Sequence, residues 1–227
     1  MNDAETRRYE MFIRVRELAD TQQARFPADT LASELFTRLR MLIGDIERQD
    51  ATLSSGKRTA SQGGRTKAVA RDELQRKLEA IRRTARVMAS KTPGLDDKFR
   101  LPGRLKDQEL LSTARAVAAD AVPLESEFIR RGLPQTFLAD LAVDIEDFEQ
   151  AINQKIRGRE THVAANAAID ELIAEGMGVV RELDAIMRNT FADEPATLAA
   201  WLSASHVERP PKSSSKKPPA PTTTPQS

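Results

Sequence analysis

The fold of this chain is indicated most clearly by residues 74–88, which read LQRKLEAIRRTARVM. Apolar residues recur in this stretch in alternating steps of four and three: Leu74, Leu78, Ile81, Ala85 and Met88. That spacing places them on one narrow stripe of an α-helix, and it favours packing against another helix. A helix from about Lys67 to Ser90 is therefore predicted.

Stretches with the same spacing lie on both sides of this one. Residues 35–53 read LFTRLRMLIGDIERQDATL, and residues 138–152 read LADLAVDIEDFEQAI. Leucine and isoleucine recur in them every three or four positions, which is the period of one helix face. The chain is also rich in Ala, Leu, Arg and Glu, which are strong helix formers. Several helices that bury their stripes against one another are predicted.

Glycines mark the expected ends of the long helices. Gly56 and a Gly-Gly pair interrupt residues 54–66, and a turn or frayed hairpin tip is predicted there. Gly158 is predicted to lie near the end of a helix that opens at Pro134. The expected fold class is all-α: an elongated antiparallel helical bundle built from two long helical hairpins, with a disordered C-terminal tail.

The chain is expected to divide into a helical bundle, residues 1–207, and a tail, residues 208–227. The tail is rich in Pro, Lys, Ser and Thr and has almost no apolar residue, so it is predicted to be disordered. The triplet Asp-Ile-Glu occurs once in each half of the bundle. A weak internal duplication of residues 1–92 and 107–194 is one interpretation, and chance similarity of heptad-like helices is the other.

Composition excludes several classes of function. The chain has 227 residues with no cysteine and two histidines, which excludes disulfides, thiolate catalysis and cysteine-ligated metal sites. No apolar run approaches the roughly 20 residues that cross a bilayer. The charged N-terminus lacks the apolar region of a secretory signal. A cytoplasmic location without a membrane span is expected.

The acidic stretch 140–149 is a candidate metal site. Ferritin-like bundles bind metal through a Glu-x-x-His motif, which this sequence lacks. Asp144, Glu146 and Asp147 flank the apolar stripe and are predicted to face outward, so a solvated helix face is favoured over a carboxylate-metal enzyme. No catalytic, cofactor-binding or metal-ligating residue is predicted, nor any cofactor, and enzyme activity is not favoured.

The strongest local signal is electrostatic. Between Asp50 and Asp72 there is no acidic residue, and five basic ones follow one another: Lys57, Arg58, Arg65, Lys67 and Arg71. On a flexible hairpin tip these side chains could contact a polyanion. No aromatic residue lies among them, which argues against stacking on bases. The alternative interpretation is a mobile, soluble hairpin end.

Two functions follow from these patterns as expectations. The first is a non-enzymatic interaction or scaffold protein that binds a protein partner or self-associates through unused stripe surface. The alternative is weak binding of nucleic acid or another polyanion through the basic hairpin tip 57–71.

Three segments carry a resemblance to known sequences: PGLDDKFRLP from Pro93, LDAIMRN from Leu183 and AAWLSASHVER from Ala199. In these segments the chain resembles a family of uncharacterised bacterial all-helical proteins with no assigned activity. The likeness extends over nearly everything before the tail. It implies a bacterial, cytosolic helical protein and carries over no functional residue.

Overall fold

The computed structural model describes residues 1–209, apart from the side chain of Gln23. Within this part of the chain the regular elements are α-helices and short 3-10 turns, with no strand, so the all-helical prediction is confirmed. None of the described helices is long and apolar enough to span a bilayer. The predicted disordered tail, apart from its first two residues, lies outside the described residues.

Two long helices dominate the chain. In order, the helices are α1 (Asp3–Thr21), α2 (Leu31–Met88), α3 (Leu95–Lys98), α4 (Asp107–Ala121), α5 (Glu125–Ile129), α6 (Phe137–Thr190) and α7 (Pro195–Ala204). The α-helices α2 and α6 contain 58 and 54 residues. Short 3-10 turns cover Gln23–Arg25 and Val122–Leu124.

The predicted turn at residues 54–66 and the predicted helix end near Gly158 are wrong, because both lie inside continuous helices. The stripe does not stop at residue 54 but continues mainly with glycine and alanine. Between Leu53 and Leu74 the same steps of three and four pass through Gly56, Ala60, Gly63, Lys67 and Ala70. A glycine inside a helix costs about 1 kcal/mol relative to alanine, and close packing of a second helix can offset that cost.

The chain divides into two compact units, and both long helices contribute to each of them. The first unit contains Met1–Gly44 and the described residues from Leu172 onward; the second contains Asp45–Glu171. The suggested duplication of residues 1–92 and 107–194 stays a prediction.

The first unit is organised around aromatic side chains. The ring of Phe26 lies 5.5 Å from that of Phe36 and 5.9 Å from that of Phe191. Trp201 of α7 is fully buried, and its Nε1 donates a 2.8 Å hydrogen bond to Asp184 of α6. The hydrogen bond satisfies the buried indole N–H while the ring fills the core.

The second unit confirms the apolar stripes. Leu78 and Ile81 of α2 and Ile145 and Phe148 of α6 are at most 8% exposed. Leucine side chains of α4 join the same core, as do residues of the segment between α2 and α4. Because Phe99 in that segment packs edge-on against Phe128 at 5.5 Å, the connector is held against the helices.

Candidate polyanion-binding stretch

Within the second unit α2 and α6 run antiparallel in close contact. A Cβ atom added at Gly56 would lie 2.9 Å from the backbone nitrogen of His162, and one added at Gly63 would lie 2.8 Å from that of Lys155. The residue number therefore rises by seven on α2 while it falls by seven on α6. Glycine at these positions lets the two backbones approach each other more closely than any larger residue would allow.

Beyond the core shared with α4, this contact has the burial pattern of a two-helix pair. Among residues 51–66 of α2, only Leu53, Gly56 and Gly63 are buried. A third helix packed alongside would bury a second stripe, and within the described part of the chain residues 51–66 have no second buried stripe. Residues 51–66 of α2 and 153–168 of α6 are called the basic stretch below.

The basic stretch carries six exposed cations. The α2 segment contributes Lys57, Arg58 and Arg65, and the α6 segment contributes Lys155, Arg157 and Arg159. Within residues 1–209 none of the six has an ion-pair partner. Six basic residues and one acidic residue, Glu160, give the stretch a formal charge of +5, whereas the whole chain carries +1 and the rest of it therefore −4.

Two of the five predicted polyanion contacts, Lys67 and Arg71, form ion pairs within the chain. Lys67 Nζ and Arg71 Nη1 each lie 2.6 Å from a carboxylate oxygen of Asp107, the first residue of α4. Arg71 also donates to the backbone oxygen of Leu105. Burial alone would raise the pKa of Asp107, but the hydrogen bond and charge of Lys67, with those of Arg71, outweigh it and lower the pKa. These cations therefore fasten α4 to α2.

Sequence reasoning missed the cations of α6. Lys155, Arg157 and Arg159 surround Gly158, which was interpreted as a helix end. The signal that could have found them is the run KIRGR, residues 155–159, which contains no acidic residue. The sequence alone does not show which part of α2 these cations lie against, because that depends on how the two helices pair.

A solvent-open groove of about 1050 Å³ runs along α2 and α6 next to this pairing. Arg65 and Arg157 lie at one end, and Glu73 and Asp147 lie toward the other. The remaining lining side chains are small or uncharged: Thr59, Thr66, Val69, Ala70, Gln150, Ala151, Asn153 and Gln154. All of them belong to the second unit. This feature is called the α2–α6 groove below.

The acidic stretch of α6 shows no metal-binding arrangement. Glu146 and Asp147 are exposed as predicted, but the outward orientation predicted for Asp144 is wrong. Its carboxylate lies 2.8 Å from Lys77 Nζ and is largely buried, because this position borders α2. Among the described residues, no group of three histidines or carboxylates is placed to hold a metal ion.

Comparisons of this chain with protein-family models, with curated proteins and with solved structures gave no match. This result is consistent with the expected membership of a family that has no assigned activity. The bacterial origin of the chain stays a prediction.

Proposed function

We propose that this chain is a non-enzymatic binding protein whose basic stretch holds a polyanion with closely spaced phosphates, such as a nucleic acid. The observation that carries the proposal is the antiparallel pairing of α2 and α6. It adds Lys155, Arg157 and Arg159 to the three free cations of α2 in one short two-helix segment.

The chemistry of this segment suits phosphate. Exposed cations without carboxylate partners release condensed counterions when they bind a charged backbone, and this release drives non-specific binding. Arg58 and Arg65 are two helical turns apart, so they share a face and lie about 10 Å from each other along the axis. Lys155 and Arg159 are one turn apart.

The expected contacts are to the backbone of the polyanion. Neither segment of the basic stretch contains Phe, Tyr or Trp, the side chains on which bases stack. Contacts to phosphates position a protein on a nucleic acid but carry no sequence information. Binding is therefore expected to be independent of sequence and sensitive to salt.

Two triple variants test the proposal in a fluorescence-anisotropy assay with a labelled DNA duplex. One replaces Lys57, Arg58 and Arg65 by Gln, and the other replaces Lys155, Arg157 and Arg159 by Gln. Each is expected to weaken binding at least about tenfold, because each removes half of the free charge. The hypothesis drawn from residues 57–71 alone expects no effect of the second variant.

The control removes the same amount of charge elsewhere in the second unit. Arg83, Arg86 and Lys91 are exposed and have no ion-pair partner among the described residues. Replacing these three by Gln is expected to change affinity less than about twofold if binding is local rather than a response to net charge. Equal losses in the control and the two triple variants would refute the basic stretch as the site.

The salt dependence gives a second measurement. If all six cations neutralise phosphates, the logarithm of the association constant falls with the logarithm of salt concentration with a slope of about −5 on duplex DNA. Each triple variant is expected to reduce that slope to about −3. A wild-type chain that shows no binding at 50 mM salt contradicts the proposed function.

A further inference from the structure

We propose that the α2–α6 groove is an interface between two copies of this chain, which dock face to face and antiparallel. This inference does not depend on polyanion binding. It gives a structural form to the self-association expected from the apolar stripes.

The charges of the groove are arranged for self-complementarity. On α2, Arg65 lies four residues before Val69 and Glu73 lies four residues after it. A two-fold axis that crosses the groove at the level of Val69 places Arg65 of one copy opposite Glu73 of the second. By symmetry the same pair forms twice, as in any isologous interface.

Helix α6 repeats this arrangement in the opposite chain direction. Asp147 lies five residues before Ile152, and Arg157 lies five residues after it. Gly56 faces His162 and Gly63 faces Lys155, so the level of Val69 on α2 corresponds to about Glu149 on α6. The same axis therefore brings Arg157 toward the acidic end of the second copy, beyond the level of Asp147. Both helices have their basic residue at one end of the groove and their acidic residue at the other, so one operation brings each basic end against an acidic end.

These charges are available for a second copy. Arg65, Asp147 and Arg157 are exposed and have no ion-pair partner within the described chain. Glu73 is 3.7 Å from Arg76 one turn along α2, a long and exposed contact. Exposed pairs of this kind contribute about 0–1 kcal/mol. Glu73 can therefore exchange Arg76 for Arg65 of the second copy at little cost.

The centre of the groove supplies apolar surface for the contact. Ala70 and Ala151 are buried at its floor, and Val69 is 59% exposed at its rim. The groove has twelve lining residues in each copy, whereas stable interfaces use roughly 20–30 per side. The expected dimer is therefore weak, with a dissociation constant of about 10 µM or above, and sensitive to salt.

A second copy fits the groove better than the polyanion does. A uniformly negative ligand that reaches along the groove meets Glu73 and Asp147 at its acidic end, which repels it. Only an occupant with the opposite order of charges pairs with both ends, and an antiparallel copy of the same surface has that order.

Single engineered cysteines test the geometry in the full chain, which has no cysteine of its own. In the proposed dimer Val69 faces Val69 of the second copy across the axis, so Val69→Cys is expected to form a disulfide-linked dimer under mild oxidation. The control is Val87→Cys, an equally exposed position on α2 at 63% but outside the groove. Cross-linking is expected to be at least about tenfold faster for Val69→Cys. Equal rates for the two variants would overturn the proposal.

A charge exchange identifies the pairs. The variant Glu73→Arg with Asp147→Arg and the variant Arg65→Glu with Arg157→Glu are each expected to be monomeric in light scattering, because like charges then face each other. Mixed together, the two variants are expected to form a heterodimer, since each acidic end again meets a basic one. If the mixture stays monomeric while both variants keep the wild-type circular dichroism spectrum, the proposal is wrong.

The outcomes separate this proposal from the proposed function. The mixing experiment is performed without any polyanion, so failure of DNA binding does not affect it. A wild-type chain that binds DNA but stays monomeric up to about 1 mM would overturn the dimer and leave the polyanion site intact.

Discussion

Gly158 of α6 lies directly against the backbone of Ala60 in α2, and a Cβ atom added at Gly158 would lie 2.5 Å from the Ala60 nitrogen. Heavy atoms do not approach so closely without displacement, and the obstacle is helix backbone, which cannot rotate away as a side chain can. Gly158→Ala must therefore separate the two helices or bend one of them.

We expect Gly158→Ala to lower the free energy of unfolding by about 1–2 kcal/mol, because the strain exceeds the gain in helix propensity of about 1 kcal/mol. Urea denaturation followed by circular dichroism measures this change. Gly64→Ala is the matched control, because nothing lies within 4 Å of the added atom. It is expected to raise stability by about 0.5–1 kcal/mol. Similar stabilisation by both substitutions would contradict the close contact.

A second glycine pair in α6 allows the same comparison within the first unit. A Cβ atom at Gly176 would lie 2.5 Å from the ring of Phe12, which is fully buried, whereas one at Gly178 would meet nothing within 4 Å. Gly176→Ala is expected to lower the melting temperature, with a loss of about 1–3 kcal/mol, and Gly178→Ala to raise it slightly. Adding Phe12→Leu should recover part of the loss. Purely additive effects would count against direct contact.

The carboxylate of Asp184 holds α7 against α6. The hydrogen bond from Arg188 lowers the pKa of Asp184, and that from Trp201 adds to it, against the opposing effect of burial. A lowered pKa in the folded chain means that this stabilisation is present at neutral pH and is lost as the pH falls below the ordinary value of 3.8.

Asp184→Asn is expected to cost about 1 kcal/mol at pH 7, a value discounted for partial exposure, and progressively less as the pH falls below 3.8. Trp201 is the single tryptophan of the chain, so its fluorescence reports this contact directly. The control Asp193→Asn alters an exposed carboxylate with no partner among the described residues. An identical acid transition in wild type and Asp184→Asn would refute the assignment.

The ion pairs of Asp107 with Lys67 and Arg71 predict a similar pH dependence in the second unit. Because the folded pKa of Asp107 lies below 3.8, its contribution is complete at neutral pH and disappears in acid. Asp107→Asn is expected to lower stability at pH 7 by about 1–2 kcal/mol, measured by urea denaturation. Asp72→Asn, an exposed neighbour, should have almost no effect. A loss in Asp107→Asn that is equally large in acid and at neutral pH would show that charge pairing is not responsible.

The heptad stripes were sufficient to predict helices and most of the core. Leu74, Leu78 and Ile81 are buried as their spacing indicates, and so are Leu141 and Phe148. The prediction of helix ends failed where the stripe consists of small residues, because glycine has two opposite effects on helix stability. In an isolated helix it weakens the structure, and beside a second backbone it permits contact that no other residue allows.

The candidate site was predictable only in part. Lys57, Arg58 and Arg65 have no acidic neighbours in sequence and are exposed in the structure, and their contact with a polyanion stays a prediction. Asp107 lies 40 residues from Lys67 and 36 from Arg71, so their pairing left no local signal. Lys155, Arg157 and Arg159 were overlooked because they gain significance only beside the cations of α2.

The periodicity of apolar side chains, which is local and repeats every few residues, was enough to establish that this chain is helical. The periodicity did not predict which helix each stripe packs against, since any heptad stripe can pack against any other of similar width. The pairing of Gly56 and Gly63 with the backbone of α6 is a long-range contact. That contact makes α2 and α6 antiparallel neighbours within the second unit, and it brings the basic run 155–159 beside the exposed cations of α2. The neutralisation of Lys67 and Arg71 was decided by another long-range contact, with Asp107 of α4.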